Sequence, residues 1–221
     1  MSEHSTVELN PNKSFAYHVA AGILSGLSRL LFHPRVSGVE NIPLEGPVLI
    51  APIHRSNVDF TFTLFMSPRK VFFMAKDGIF KFRPLGRLLV HLGAFPIHRG
   101  AATDRDSMNS AQEVLRQGQA LVLFPEGTRK DGLLVGPIQD GAMFLAARTG
   151  ATVVPVGIAG SDRAMPKGAK LPRPSRIRVV IGAPIAPPAS EGRVSRSAIT
   201  AKTEELRQGL QAAYDEALRT L

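Results

Sequence analysis

Five short apolar runs, separated by segments of helical periodicity, constrain the fold of this 221-residue chain more than any other feature. The runs are Val48 to Ile53, Val71 to Ala75, Ala120 to Phe124, Thr152 to Ile158 and Ile177 to Ile181. Each is continuously apolar rather than alternating, the pattern of strands buried on both faces. Between them, residues 57–66, 78–92, 104–118 and 138–149 carry helical patterns. A strand followed by a helix, repeated, requires crossover connections and so a largely parallel sheet. A last helix is expected over 197–219, with Ile199, Leu206, Leu210, Tyr214 and Leu218 on one stripe. The segments Pro166 to Pro174 and Pro184 to Pro188 read as loops. The expected architecture is one α/β domain over residues 37–221, a single mostly parallel sheet flanked by helices. Residues 1–36 would precede it as a polar tail and an amphipathic helix.

Residues 1–13 are polar and partly acidic, unlike the basic start of a signal peptide. Phe15 to Phe32 is apolar but holds His18, Ser25, Ser28 and Arg29, and is too short and too polar for a membrane span. Phe15, Val19, Ile23, Leu27 and Leu30 recur at near-helical spacing. Two readings stand side by side: the stripe packs on the protein's own core, or it lies in a membrane interface with Arg29 and Arg35 near headgroups. Gly78 to Leu92 has the same character, its apolar face punctuated by Lys81, Arg83 and Arg87, with Pro84 expected to bend or interrupt it. The formal net charge of +9 favours anionic partners. Nucleic acid is disfavoured, because there is no Trp, only two Tyr and no interleaving of aromatic with basic residues. The absence of cysteine excludes disulfides, thiolate metal sites and a thiol nucleophile.

Two of the strands lead straight into polar clusters. His54-Arg55-Ser56-Asn57-Val58-Asp59 follows the first, and in open parallel sheets ligands bind beyond the carboxyl ends of strands. Five residues along a regular helix separate two side chains by roughly 140°, so His54 and Asp59 do not share one helical face. They meet only if His54 lies in the loop and Asp59 in the first helical turn, where the helix dipole favours a carboxylate. Such a carboxylate orients the imidazole and leaves its other nitrogen to take a proton. Ser56 is a poor nucleophile candidate, since no G-x-S-x-G elbow is present. The histidines lack recognised metal-ligand spacing, and no metal or cofactor is expected. The third strand leads into Phe124-Pro125-Glu126-Gly127-Thr128-Arg129, a tight turn with backbone amides available and an arginine fork suited to phosphate or carboxylate. Between the two clusters, Gly93-Ala94-Phe95-Pro96-Ile97-His98-Arg99 ends on a second arginine.

In this order, with Val153-Val154-Pro155-Val156-Gly157-Ile158 following, the pieces resemble the four blocks of the glycerolipid acyltransferases, in particular the 1-acylglycerol-3-phosphate acyltransferases. The first block resembles the family's H-x-x-x-x-D, the second its G-x-x-x-x-x-R, and the third matches F-P-E-G-T-R; the likeness covers roughly residues 38–185. The resemblance implies that His54 is a general base oriented by Asp59. It implies that Lys76, Arg99, Glu126, Gly127, Thr128 and Arg129 grip the acceptor's phosphate, although Asp77 after Lys76 departs from the family's usual continuation, and that Pro155 shapes the donor side. It further implies transfer of a fatty acyl chain from coenzyme A or acyl carrier protein to the sn-2 hydroxyl of lysophosphatidic acid, giving phosphatidic acid, by an enzyme held peripherally on the anionic inner face of the cell membrane. The alternatives are another acceptor (glycerol-3-phosphate, a lysophospholipid or a glycolipid precursor), a thioester hydrolase, or a non-catalytic module that binds anionic lipid.

Overall fold

The computed structural model of the chain describes residues 22–23, 26–76, 78, 83–91, 93–97, 101–188 and 194–221. The polar tail and most of the expected N-terminal helix lie outside the described residues, as do Asp77, Lys81 and Arg99.

Among the described residues the sheet has seven strands: β1 (Arg35–Ser37), β2 (Val48–Pro52), β3 (Val71–Lys76), β4 (Ala94–Ile97), β5 (Ala120–Val122), β6 (Thr152–Ala159) and β7 (Arg178–Ile181). They lie in the order β1-β7-β6-β2-β5-β3-β4. Every neighbouring pair is parallel except β6 with β7. β2, β5 and β6 form the centre, and their continuous apolar runs are buried on both faces as expected, Leu49, Ile50, Leu121, Val153 and Val154 among them. Two strands escape sequence reading, β1 and β4. Both are short, and they form the two edges of the sheet. β1 also carries the sheet back to Arg35, so the boundary drawn after residue 36 cuts through a strand.

Beyond the helical residues 26–32 that precede β1, the described helices are α1 (Asp59–Met66), α2 (Arg83–His91), α3 (Ala101–Arg116), α4 (Gly141–Thr149) and α5 (Arg196–Arg219), with short helical turns at Val39–Asn41 and Ser161–Ala164. Within α2, Pro84 is the second described residue, and the helix continues past it to His91. α5 starts on a Ser195 cap whose side chain accepts from the Ala198 N–H. It buries Leu206, Leu210, Ala213, Tyr214 and Ala217 against the sheet. Its approach depends on Gly157 in β6, because a Cβ there would overlap the backbone of Ala213 and Tyr214. Pro155 is likewise interior: its ring faces Gly182 and Gly209, so it is a packing element between β6, β7 and α5.

The parallel arrangement brings the carboxyl ends of β2, β3, β4, β5 and β6 to one end of the sheet. The segments that follow β2 and β5 are therefore neighbours in space.

Gly157→Ala is expected to lower stability by about 1–3 kcal/mol, the usual cost of forcing a methyl into a filled interface. Urea unfolding followed by circular dichroism checks this; an unchanged midpoint would mean that α5 does not lie on β6 as described.

Candidate active site

β2 ends at Pro52, and the next residues leave the sheet without entering a helix until Asp59, the first residue of α1. His54 is thus in the loop and Asp59 in the first turn, as the spacing requires. Asp59 is fully buried. Its Oδ2 accepts from the backbone N–H of Arg55 and of Ser56, each at 2.7 Å. It lies 3.0 Å from His54 Nδ1. A carboxylate oxygen that already takes two N–H bonds can only accept from a third partner, so Nδ1 is the protonated ring nitrogen. Nε2 remains as the basic one. The imidazole side chain is 22% exposed and so reachable, whereas its carboxylate partner has no solvent contact. One edge of the ring's surroundings is closed by Phe124, whose centroid lies 4.3 Å away at 33°.

The Glu126 block meets this loop from β5. Ile50 pairs with Val122, an offset of 72 residues, and the same offset sets His54 opposite Glu126. Glu126 Oε2 accepts from the His54 N–H at 2.8 Å. Both carboxylate oxygens also lie 2.8 Å from Arg55 Nη1. The two side chains are buried, with 2% and 0% exposure. An unpaired charge at such depth would cost several kcal/mol, so each requires the other. Arg55 Nη2 donates to the Leu134 carbonyl at 3.3 Å, and its guanidinium carbon stands 5.2 Å from the Tyr214 ring centroid. Burial pushes the Tyr214 phenol above its ordinary range, and the adjacent Arg55 charge opposes that rise. The Lys130 N–H donates to the His54 carbonyl at 2.9 Å, closing the contact between the two loops.

The expected site residues therefore divide. His54 and Asp59 come together. Gly127, with φ 69, makes the turn that a side chain would strain, and Thr128 beside it is exposed. The half-buried Arg129 makes no side-chain hydrogen bond or ion pair among the described residues and is available to an anion. Glu126 is not: its carboxylate is buried and engaged by His54 and Arg55, and a carboxylate repels phosphate in any case. Lys76 closes β3 at the same end of the sheet. Arg99 lies outside the described residues, two positions beyond the end of β4. Ser56 is buried and its Oγ donates to the Met165 carbonyl at 2.8 Å, so it is a structural hydroxyl. Arg55 is the residue that sequence reading missed. Its signal was the register itself: once β2 and β5 are neighbours, His54 falls opposite Glu126, and Arg55, one position on, comes within reach of the acid.

The family model described as Acyltransferase matches residues 33–159. The chloroplast 1-acyl-sn-glycerol-3-phosphate acyltransferase LPAT1 of Arabidopsis thaliana is 32% identical over 181 residues, 80% of this chain and 50% of that protein. The chain spans about half the length of the plant relatives it matches. The 1-acyl-sn-glycerol-3-phosphate acyltransferase of Bacillus subtilis (strain 168) is 26% identical over 196 residues, 88% of this chain and 95% of the relative. In structure, the chain resembles the 1-acyl-sn-glycerophosphate (LPA) acyltransferase PlsC from Thermotoga maritima, with a TM-score of 0.75 and 24% identity over 90% of this chain and 80% of that one. This last likeness bears on the fold.

Arg55→Met is expected to cost about 3–5 kcal/mol by leaving Glu126 buried without its cation. Pairing it with Glu126→Leu should recover a large part of that loss. Urea midpoints of the two single variants and the double variant test this; strictly additive losses would dismiss the pair as a coupled unit.

Proposed function

The chain belongs to the acyltransferase family, and we propose that it moves a fatty acyl group from a thioester, coenzyme A or acyl carrier protein, to the sn-2 hydroxyl of 1-acylglycerol-3-phosphate. The observation that carries this reading is the reachable imidazole whose Nδ1 is tied to a buried carboxylate. That arrangement suits a base acting on a substrate hydroxyl. Relatives named 1-acyl-sn-glycerol-3-phosphate acyltransferase support the choice of acceptor.

In the proposed reaction the acceptor oxygen attacks the thioester carbonyl while His54 Nε2 takes its proton. Asp59 stabilises the resulting imidazolium without accepting the proton itself. The tetrahedral adduct collapses, the carbon–sulfur bond breaks, and the thiolate leaves with the proton returned by His54. No covalent intermediate on the protein is needed. Arg129, with Lys76 and Arg99, would hold the acceptor's phosphate, the turn at Gly127, whose own N–H is taken by the Phe124 carbonyl, would present the exposed Thr128 to it, and Glu126 positions His54 rather than touching substrate. Among the described residues no helix is long and apolar enough to cross a membrane. The enzyme would act peripherally, at the inner face of the cell membrane.

Incubation with palmitoyl thioester and lysophosphatidate, following free thiol and phosphatidate, tests the reading. Turnover should depend on the acceptor. His54→Ala and Asp59→Ala should each lower kcat by about 10²–10⁴ while the fold survives. Arg129→Ala should instead raise the acceptor KM by roughly ten- to a hundredfold. Thiol release without acceptor dependence would make the protein a hydrolase, and unchanged lipid binding without turnover would make it a binding module.

A further inference from the structure

A second cluster of cations lies away from His54. His33, Arg35, Arg176 and Arg178 line a depression of about 430 Å³ at the β1–β7 edge of the sheet. The register explains how they converge. Arg35 and Arg178 are direct partners across the parallel β1–β7 pair. Arg176 stands two residues before Arg178, and alternation along that segment returns it to the same face, while His33 reaches the depression from the turn before β1. His33 holds φ 41, a strained value for a residue with a side chain, in the turn that joins the N-terminal helix to β1.

Like charges side by side on a sheet are destabilising. Nothing offsets them here: among the described residues neither Arg35 nor Arg176 has a side-chain hydrogen bond or an ion pair. Arg178 is held in place by donating from Nε to the Thr220 carbonyl at 2.6 Å and from Nη1 to the Ile177 carbonyl at 3.1 Å. Burial, and then the charges of Arg35 and Arg176, draw its guanidinium below the ordinary arginine range. A phosphate would relieve this repulsion and match the guanidinium fork.

The neighbouring helix indicates where that phosphate resides. Residues 26–32 are helical and run directly into His33. The backbone is stapled to the sheet edge, with the Ser175 N–H donating to Leu31 O and the Ile177 N–H to Phe32 O, both at 3.1 Å. Phe32 packs edge-on against Phe62 of α1 at 5.5 Å. While Ser28 and Phe32 face inward, Ile23, Leu27 and Leu30 are exposed, Leu30 at 72%. Their i, i+4, i+7 spacing makes one uncovered apolar stripe, with Arg29 also exposed. Of the two readings of this stripe, its exposure favours the interfacial one over self-packing.

The strand directions complete the argument. β7 runs antiparallel to β6, and β1 runs with β7, so both strands begin at the end of the sheet where β2 stops. Arg178 pairs with Ala159, three residues beyond Val156, the partner of Pro52. The arginine cluster is therefore about level with His54, displaced sideways by two strand spacings at Arg178 and three at Arg35, roughly 10–14 Å.

We propose that His33, Arg35, Arg176 and Arg178 form a binding site for the phosphate of an anionic membrane phospholipid, which together with the Ile23, Leu27 and Leu30 stripe sets the catalytic end of the sheet against the bilayer. This deepens the proposed lipid-directed function and rests on it. The site is separate from the grip on the reacting acceptor: it anchors the protein and does no chemistry.

The test uses the full chain and co-sedimentation with phosphatidylcholine vesicles, with and without phosphatidylglycerol. Arg35→Gln with Arg176→Gln, chosen because Arg178 also supports the C-terminus of α5, should reduce partition onto the anionic vesicles by roughly tenfold or more. Binding to neutral vesicles should change little. Turnover of a water-soluble short-chain acceptor should be unaltered, which separates failure of this site from failure of the proposed reaction. Arg116→Gln with Arg148→Gln removes the same charge near the starts of β5 and β6, at the far end of the sheet, and should leave partition near the wild-type value. Equal losses in both double variants would overturn the proposal in favour of general electrostatic attraction. Unchanged partition with a raised KM for the thioester would also overturn it, assigning the cluster to the donor's phosphates.

Discussion

A single carboxylate oxygen organises the end of the sheet where β2 and β5 stop. Asp59 Oδ2 gathers two backbone N–H groups and one imidazole N–H. It therefore fixes the path of the chain from β2 into α1 and the orientation of the ring in one set of bonds. The arrangement is local, spanning six residues, and depends on α1 beginning at Asp59 and no earlier. A helix starting a turn sooner would carry His54 and Asp59 to different sides. The carboxylate is held without solvent, so its contact with the imidazole is not diluted by water.

A second, long-range bond set locks that loop to the rest of the molecule. Glu126 holds the His54 amide from β5, and Arg55 holds Glu126. Arg55 is backed by Tyr214 from α5 and by the Leu134 carbonyl. The same helix fixes the segment after the Glu126 block: Gln211 Oε1 accepts from the Val135 N–H, Arg207 donates to the Val135 carbonyl, and the Thr203 hydroxyl donates to Asp140. The C-terminal helix thus does more than cover the sheet. It sets the positions of both loops that frame His54, although it contributes no group of its own to the proposed chemistry.

What the sequence made legible follows from the range of the interactions involved. The central strands showed because burial on both faces writes a continuous apolar run. The His54–Asp59 relation showed because five residues of helical geometry determine it. The edge strands Arg35–Ser37 and Ala94–Ile97 did not show, being only three and four residues long, and neither did the reversal of β7, since a strand's direction leaves no mark on its own residues. Glu126 reads as part of a phosphate grip because the family resemblance carries the whole Glu126 to Arg129 block into that role; only the register of β2 against β5 separates an inward acid from an available arginine. The exposed stripe of Ile23, Leu27 and Leu30 had two readings in the sequence, because periodicity reports a face but not what lies against it.

The tautomer of His54 is the most direct test of the central claim. Nitrogen-15 NMR of the imidazole in the full chain, near neutral pH, should report a protonated Nδ1 and a bare Nε2, and Asp59→Asn should shift the balance toward the other tautomer. A dominant Nε2–H form in the unsubstituted protein would contradict the account, because the nitrogen assigned to take the substrate proton would already carry one.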